Sequence, residues 1–312
     1  MNITTKGAKP FIKWAGGKTQ LLADIERTLP ADFSAKDFTY VEPFVGGGSV
    51  VFWMLQNFPN IKKAVINDIN SKLINVYRTI KHTPKELLEA LHIIEDEYIP
   101  KNHDERTAYF MEQRRRFNDE TLSDVEQAAI FIFLNRTCFN GLYRENAKGK
   151  FNVPHGRYSR PTICDEATIM ADSELLQKVE IMCGDFAATE TYAGTDTLFY
   201  FDPPYKPLSD TSSFNTYVKE PFDDAEQIRL RDFCDIVTKK GSRFILSNSD
   251  VKGKNPADNF FDDLYAKYNI NRVFATRMVN ANPDRRGKLT ELMISNIRHK
   301  ASEIRFELAV NQ

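Results

Sequence analysis

Within its first eighty or so residues the chain alternates strand and helix twice, and this alternation constrains the fold more than any other feature. "TYVEPF" carries the aromatic and β-branched residues of a strand, and "GSVVFWMLQNF" follows with the spacing of a helix. "KKAVIND" repeats the strand. "NSKLINVYRTIKHT" repeats the helix and must stop ahead of Pro84, because the residue before a proline is pushed out of the helical region. Successive βα units imply a parallel sheet with helices on its faces. Upstream, "GKTQLLADIERTL" places Leu21, Leu22, Ile25 and Leu29 at the intervals of an amphipathic helix.

The alternation then breaks. From Pro84 to Asp165 only helices and loops are expected, the clearest start being "SDVE", where Ser123 and Glu126 form a capping box ahead of "QAAIFIFL". "NAKGK" followed by "FNVP" suggests a turn feeding a short strand. Strand signals resume with "VEIMCGDF", "TLFYFDPP" and "RFILSNSD", the last preceded by the helix "DDAEQIRLRDFCDIVTKKG". "INRVFATRMV" and "TELMISN" close the pattern as two strands joined through "NANPDRRGK". The expectation is one doubly wound α/β unit made of residues 1–83 and 166–312, interrupted by an inserted, mainly helical domain at 84–165. The polar stretch 206–222, beside a Pro-Pro strand exit, is a candidate lid.

Charge and cysteine usage narrow the class. The four cysteines include no close pair of the kind that zinc ribbons or redox motifs need. "MNITTKGAKPF" has no secretory apolar stretch, and "AAIFIFL", the longest apolar run, is too short to span a bilayer. A soluble, cytoplasmic protein without a metal is expected. A net charge of −1 argues against a polyanionic partner only on average. Between Arg136 and Arg160 six basic residues meet a single acid, Glu145. A nucleic-acid binder needs a basic face rather than a basic mean. Charge alone leaves a solvated loop equally open.

Three stretches carry chemistry. "EPFVGGGSV" follows the first strand and opens a helix, where glycines let a ligand approach the backbone. Asp68 stands where such folds place a ribose-binding acid. Gly46 and Gly48 fit the dinucleotide fingerprint, but Val51 takes its third glycine position, so a ribose-bearing ligand without a pyrophosphate is expected. "WAGGKT" lacks the earlier glycine of a phosphate-binding loop, since Ile12 stands there; Trp14 and Lys18 instead suit a ligand with an adenine ring and a carboxylate. In "FDPPY", neither Pro203 nor Pro204 can continue a ladder, so the strand ends in a stiff exit flanked by Asp202 and Tyr205. An aromatic amino group is a poor nucleophile because its lone pair is delocalised. Two fixed acceptors, the Asp202 carboxylate and the Pro203 carbonyl, would draw its nitrogen towards tetrahedral geometry, while Tyr205 stacks on the base. A plain strand-terminating turn is the bland alternative.

In this order, "FIKWAGGKTQLL", "VEPFVGGGSV", "INDIN", "NRTCFNGLYREN…GKFNVPHGRY" and "FDPPY" resemble the Dam-type (alpha-group) DNA adenine-N6 methyltransferases over residues 11–296. The resemblance implies a Rossmann-like methyltransferase sheet ending in an antiparallel hairpin, with an inserted target-recognition domain. It implies S-adenosyl-L-methionine as cofactor, held by Trp14, Lys18, Asp68 and Asp202, with Phe44, Gly46 and Gly48 under its methionine part and Asp185 and Phe186 at its adenine. Asp202, Pro203, Pro204 and Tyr205 match the catalytic motif. Lys13, Arg136, Phe139, Asn140, Leu142, Arg144 and Pro154 match positions that read or wedge into the target, and Asn146, Asn152 and Arg157 match backbone contacts.

Thr137-Cys138 replaces a His-Gly often seen in the Dam proteins. GATC is the expected site, because Leu142, Arg144 and Pro154 are retained; another GAT-containing palindrome stands second. The expected partner is double-stranded DNA, which a monomer would methylate after flipping the adenine out of the stack. A cognate restriction endonuclease would act separately. The rivals are a catalytically silent DNA-binding protein on this scaffold and an RNA or protein amide N-methyltransferase.

Overall fold

The computed structural model describes residues 7–206, 222–276 and 288–297, and among these seven strands form one sheet. They are Phe38–Glu42 (β1), Ile61–Ile66 (β2), Val179–Ile181 (β3), Thr197–Phe201 (β4), Arg243–Ser249 (β5), Asn269–Thr276 (β6) and Lys288–Ser295 (β7). Their order is β3-β2-β1-β4-β5-β7-β6. The first five pair in parallel, whereas β7 runs antiparallel to both β5 and β6. This is the expected methyltransferase sheet with its terminal hairpin. Chain order reverses between β1 and β4, so the C-terminal ends of those strands diverge into the crevice where open α/β sheets bind ligands.

Both faces of the sheet are covered, which is why its strands read as nearly continuous apolar runs. Tyr40, Leu198, Tyr200, Ile245 and Met293 point into one buried layer, and their neighbours Val41, Phe199, Phe201, Phe244, Leu246 and Leu292 into the other. The first layer meets helices Ser49–Asn57 (α2) and Ser71–His82 (α3); the second meets Asp224–Lys239 (α7) through Leu230, Phe233, Cys234 and Val237. Among the described residues no helix is long and apolar enough to cross a membrane.

Along the chain, helices Pro84–Tyr98 (α4), His103–Asp119 (α5) and Asp124–Thr137 (α6) come between β2 and β3. The Ser123–Glu126 capping box is present, with the Glu126 N–H donating to Ser123 Oγ and the Ser123 N–H to Glu126 Oε2. Helix α6 is apolar nearly all round and buried from Ala128 to Asn135, as a central helix must be. It packs on α3, α4 and α5, so the apolar core runs without a break from the sheet into the insertion.

Several local expectations are corrected. The "FNVP" segment forms no strand; only isolated bridges pair Glu145 with Phe151 and Cys138 with His155, and Pro154 has no N–H to extend a ladder. The "GKTQLLADIERTL" helix opens as a 3-10 turn, Thr19–Leu21, and is α-helical only over Leu22–Thr28 (α1). In "VEIMCGDF" the strand ends at Ile181, after which Met182 N and Gly184 N bond the carbonyls of Ile66 and Asp68. Nearly all of the candidate lid, and the turn joining β6 to β7, lie outside the described residues.

Candidate active site and DNA-facing surface

Asp202 follows β4 directly, at the divergence from β1. One of its oxygens meets Lys18 Nζ at 2.9 Å. The second has no hydrogen-bond partner among the described residues, and the Asp202 side chain retains 20% exposure. Burial pushes the Asp202 carboxyl up to about 6, opposed by the Lys18 charge and hydrogen bond. Lys18 is 5% exposed, donates to the Gly16 carbonyl at 2.6 Å and lies 4.5 Å from the centroid of the Tyr205 ring.

The rest of the exit is clamped from behind. Gln227 Nε2 donates to the Pro204 carbonyl at 3.2 Å, and Asn248 Nδ2 in turn fixes Gln227 Oε1 at 3.0 Å. Ser249 Oγ donates to the Lys206 carbonyl, and the Tyr205 hydroxyl donates to Glu291 Oε2 at 2.7 Å. Among the described residues the main-chain carbonyls of Asp202, Pro203 and Tyr205 have no hydrogen-bond partner. Gln227, Asn248, Ser249 and Glu291 thus fix a turn on which one Asp202 oxygen and the Pro203 carbonyl have no partner among the described residues.

Beside it lies the glycine turn between β1 and α2. Gly46 has φ +47° and Gly48 φ +78°, and a side-chain carbon at Gly48 would stand 2.5 Å from the Tyr77 hydroxyl. At Gly46 it would strike the Trp14 indole at 2.8 Å, so Trp14 forms one wall of the turn. The Asp68 carboxylate is set by the Gly46 N–H at 3.0 Å and the Asn70 N–H at 2.9 Å. Burial raises the Asp68 pKa and those two N–H groups oppose it. Phe44 lies 5.3 Å from Phe186 and 5.7 Å from Phe222, making an aromatic corner. Asp185 caps the turn that Phe186 opens, but Arg229 takes both its oxygens, at 2.9 and 2.6 Å, and lies over the Phe186 ring.

The expected DNA-facing residues gather on the loop after α6. Phe139 is 53% exposed on a 3-10 turn, and Asn140, at φ +56°, takes the left-handed region that asparagine tolerates. Pro154 and Arg157 are exposed beside them, and the Pro154 carbonyl accepts the Phe139 N–H at 2.8 Å. Arg144 Nε donates to Asn152 Oδ1 at 2.8 Å, which aims the guanidinium. Leu142 is half-buried against the core. Asn146 uses its side-chain oxygen to shape its own turn, accepting from the N–H groups of Lys148 and Lys150. Lys13 and Arg136 line a cavity of about 230 Å³ with Tyr158 and Arg160, where Lys13 Nζ stands 4.9 Å from the Tyr158 centroid. Arg136 donates to the Phe11 carbonyl, and its buried Nε has no partner among the described residues.

Residues 13–18 join the two regions. Asn135 brackets Lys13, accepting its N–H and donating to its carbonyl, both at 2.8 Å, and donates also to Gly141 at 3.0 Å. Trp14 stacks on Tyr143 at 5.7 Å. Sequence reasoning missed Asn135, Gln227, Arg229, Glu42 and Glu291. Only Glu42 carried a local signal, a carboxylate between an apolar strand and a glycine turn; the others owe their roles to long-range contacts.

The family model described as D12 class N6 adenine-specific DNA methyltransferase matches residues 14–279. The chain is 44% identical over 292 residues to the type II methyltransferase M.MjaIII of Methanocaldococcus jannaschii, covering 92% of this chain and 99% of that protein. It is 39% identical over 306 residues to the type II methyltransferase M1.LlaDCHI of Lactococcus lactis subsp. cremoris, with 95% and 99% covered. To the DNA adenine methylase of Escherichia coli K12 it is 32% identical over 288 residues, with 92% and 95% covered.

Proposed function

This chain belongs to the D12 class N6 adenine-specific DNA methyltransferases, and from that premise we propose that it takes S-adenosyl-L-methionine, flips adenine out of duplex DNA at GATC and methylates it by direct transfer. The observation that carries the reading is a pair of acceptors, one Asp202 oxygen and the Pro203 carbonyl, that have no partner among the described residues and sit on a clamped turn at the mouth of the β1–β4 crevice.

The residues present fit the cofactor. Asp68 is a fixed carboxylate suited to ribose hydroxyls, the Gly46–Gly48 backbone is bare where a side chain would intrude, and a carbon added at Gly184 would meet nothing within 4 Å. Phe44 and Phe186 offer an apolar corner for the adenine. Bound there, the cofactor supplies an electrophilic methyl group on a sulfonium. Asp202 and the Pro203 carbonyl accept the two amino hydrogens of the target base, which localises the nitrogen lone pair. Lys18 keeps Asp202 ionised and its ammonium backs the Tyr205 ring, whose hydroxyl Glu291 anchors, so the ring is set to stack. In the insertion, Phe139 fills the gap left by the flipped base, and Arg144 grips guanine through two hydrogen bonds.

Residues 84–165 serve in this reading as the target-recognition domain. The chain acts as a monomer in the cytoplasm, and any cognate endonuclease acts separately. Sequencing for N6-methyladenine in a methylation-deficient host expressing the chain tests both activity and target. Modified adenine confined to GATC is the expected result; modification at another GAT-containing palindrome would overturn the assigned site.

A further inference from the structure

Glu145 is the single acid among six basic residues between Arg136 and Arg160, and it stands directly between Arg144 and Asn146. A carboxylate there opposes a polyanion, because adjacent residues lie well within the roughly 8 Å over which salt screens charge. The structure supplies its partner. Lys72, in the first turn of α3, brings Nζ to 3.0 Å from Glu145 Oε1 and donates to the Gly149 carbonyl at 3.2 Å. The Tyr143 hydroxyl donates to the same Oε1. Lys72 Nζ also lies 4.9 Å from the centroid of the Phe117 ring, and the side chains of the pair are only 24% and 22% exposed. A lysine this close to a helix N-terminus works against the helix dipole, so α3 gains from the carboxylate.

We propose that Glu145 is a positioning residue for base discrimination: paired with Lys72, it fixes the arm that carries Arg144, at a cost in affinity for duplexes of any sequence. The inference rests on the reading of Arg144 as the guanine contact. Residues 144–152 form a two-armed turn, closed by the Asn152 N–H on the Arg144 carbonyl at 3.0 Å and the Asn146 N–H on the Lys150 carbonyl at 2.9 Å. Helix α5 holds the far arm, where the Asn118 amide brackets Phe151 with bonds of 3.0 and 2.8 Å. The near arm is held by Lys72 and Tyr143 through Glu145. Arg144 stands one residue along that arm, and its Nε is braced across the turn on Asn152 Oδ1 at 2.8 Å. Releasing the near arm therefore moves the guanidinium and loosens its brace together. Two hydrogen bonds to one base edge tolerate little displacement, whereas contacts with phosphates depend chiefly on charge.

Glu145→Gln and Lys72→Met break the pair from opposite ends, so they should agree on discrimination and disagree on charge. Discrimination is the ratio of kcat/KM on the methylated site to that on a duplex substituted at the guanine Arg144 grips. Each variant of the full chain should lower it by roughly fivefold, a part of what Arg144→Ala removes. Affinity for a duplex lacking the site, read by anisotropy at about 0.1 M salt, should rise roughly twofold with Glu145→Gln. With Lys72→Met, which leaves the carboxylate uncompensated, it should fall by about the same factor. If Glu145→Gln strengthens both duplexes equally and leaves the ratio unchanged, Glu145 is only a repelling charge and the proposal is overturned. A lowered melting temperature with discrimination intact would overturn it too, leaving the pair a structural brace. Either variant decides the matter if the other does not fold. Should Arg144→Ala itself spare discrimination, the guanine contact falls and the proposal with it; should only the pair's variants spare it, the proposal falls alone.

Discussion

The crevice and the loop after α6 handle their polar residues in opposite ways. In the crevice, charge is withdrawn from solvent: Glu42 ends β1, Asp202 follows β4, and Lys18 reaches Asp202 from the N-terminal segment. On the loop, Phe139, Asn140, Pro154 and Arg157 stand in solvent, and order comes from behind through Asn135 and the Phe139–Pro154 backbone bond. A group that must polarise a reacting atom gains from low dielectric, where a fixed dipole is worth more than in water. A group that must find its partner on a duplex has to remain reachable.

If this division holds, changes in the crevice should strike turnover and changes on the loop should strike selectivity. The largest effect is expected from Asp202→Ala, with methyl transfer falling at least about a thousandfold and duplex affinity, measured by anisotropy, little changed. Equal losses in both would erase the distinction between the regions.

Next comes pH. Asp202 accepts a hydrogen only as carboxylate and its value is raised to about 6, so kcat should fall as pH drops through about 6, by about tenfold per unit below it. Lys18→Met removes the charge that lowers this value, and the acid limb should move upwards. An unmoved limb would assign it to another group. Arg144→Ala should cost about 1–3 kcal/mol of discrimination at one base pair, read from the ratio of kcat/KM on cognate and single-substituted duplexes, with kcat on the cognate site less affected. Phe139→Ala should slow extrusion by roughly fivefold, about 1 kcal/mol, visible in the fluorescence of a 2-aminopurine at the target. Asn135→Ala sharpens the comparison most finely, since it touches both regions through Lys13 and Gly141. It should lower unfolding free energy by about 1–3 kcal/mol in urea titration and raise KM for DNA while leaving kcat nearly intact.

What could be read before folding followed from short-range rules. Alternation of "TYVEPF" and "KKAVIND" with helical stretches implied the parallel sheet, because a strand's period and a helix's period are local properties. The Ser123 box and the Asp202-Pro203-Pro204-Tyr205 exit were equally local. The "FNVP" strand failed for the converse reason: its pairing stops at the single bridge of Phe151 with Glu145, because Pro154 has no N–H to carry a ladder onward.

Side-chain pairing was another matter. The sequence by itself determined the sheet and the residue types at the crevice, since periodicity, turn chemistry and motif order act over a few residues. Only the tertiary structure decided that Lys18 pairs with Asp202, that Arg229 occupies Asp185 and that Asn135 binds the N-terminal segment to the loop. Lys18 and Asp202 stand far apart in the chain, and a charge selects its partner by distance and burial, which exist only once the chain has closed.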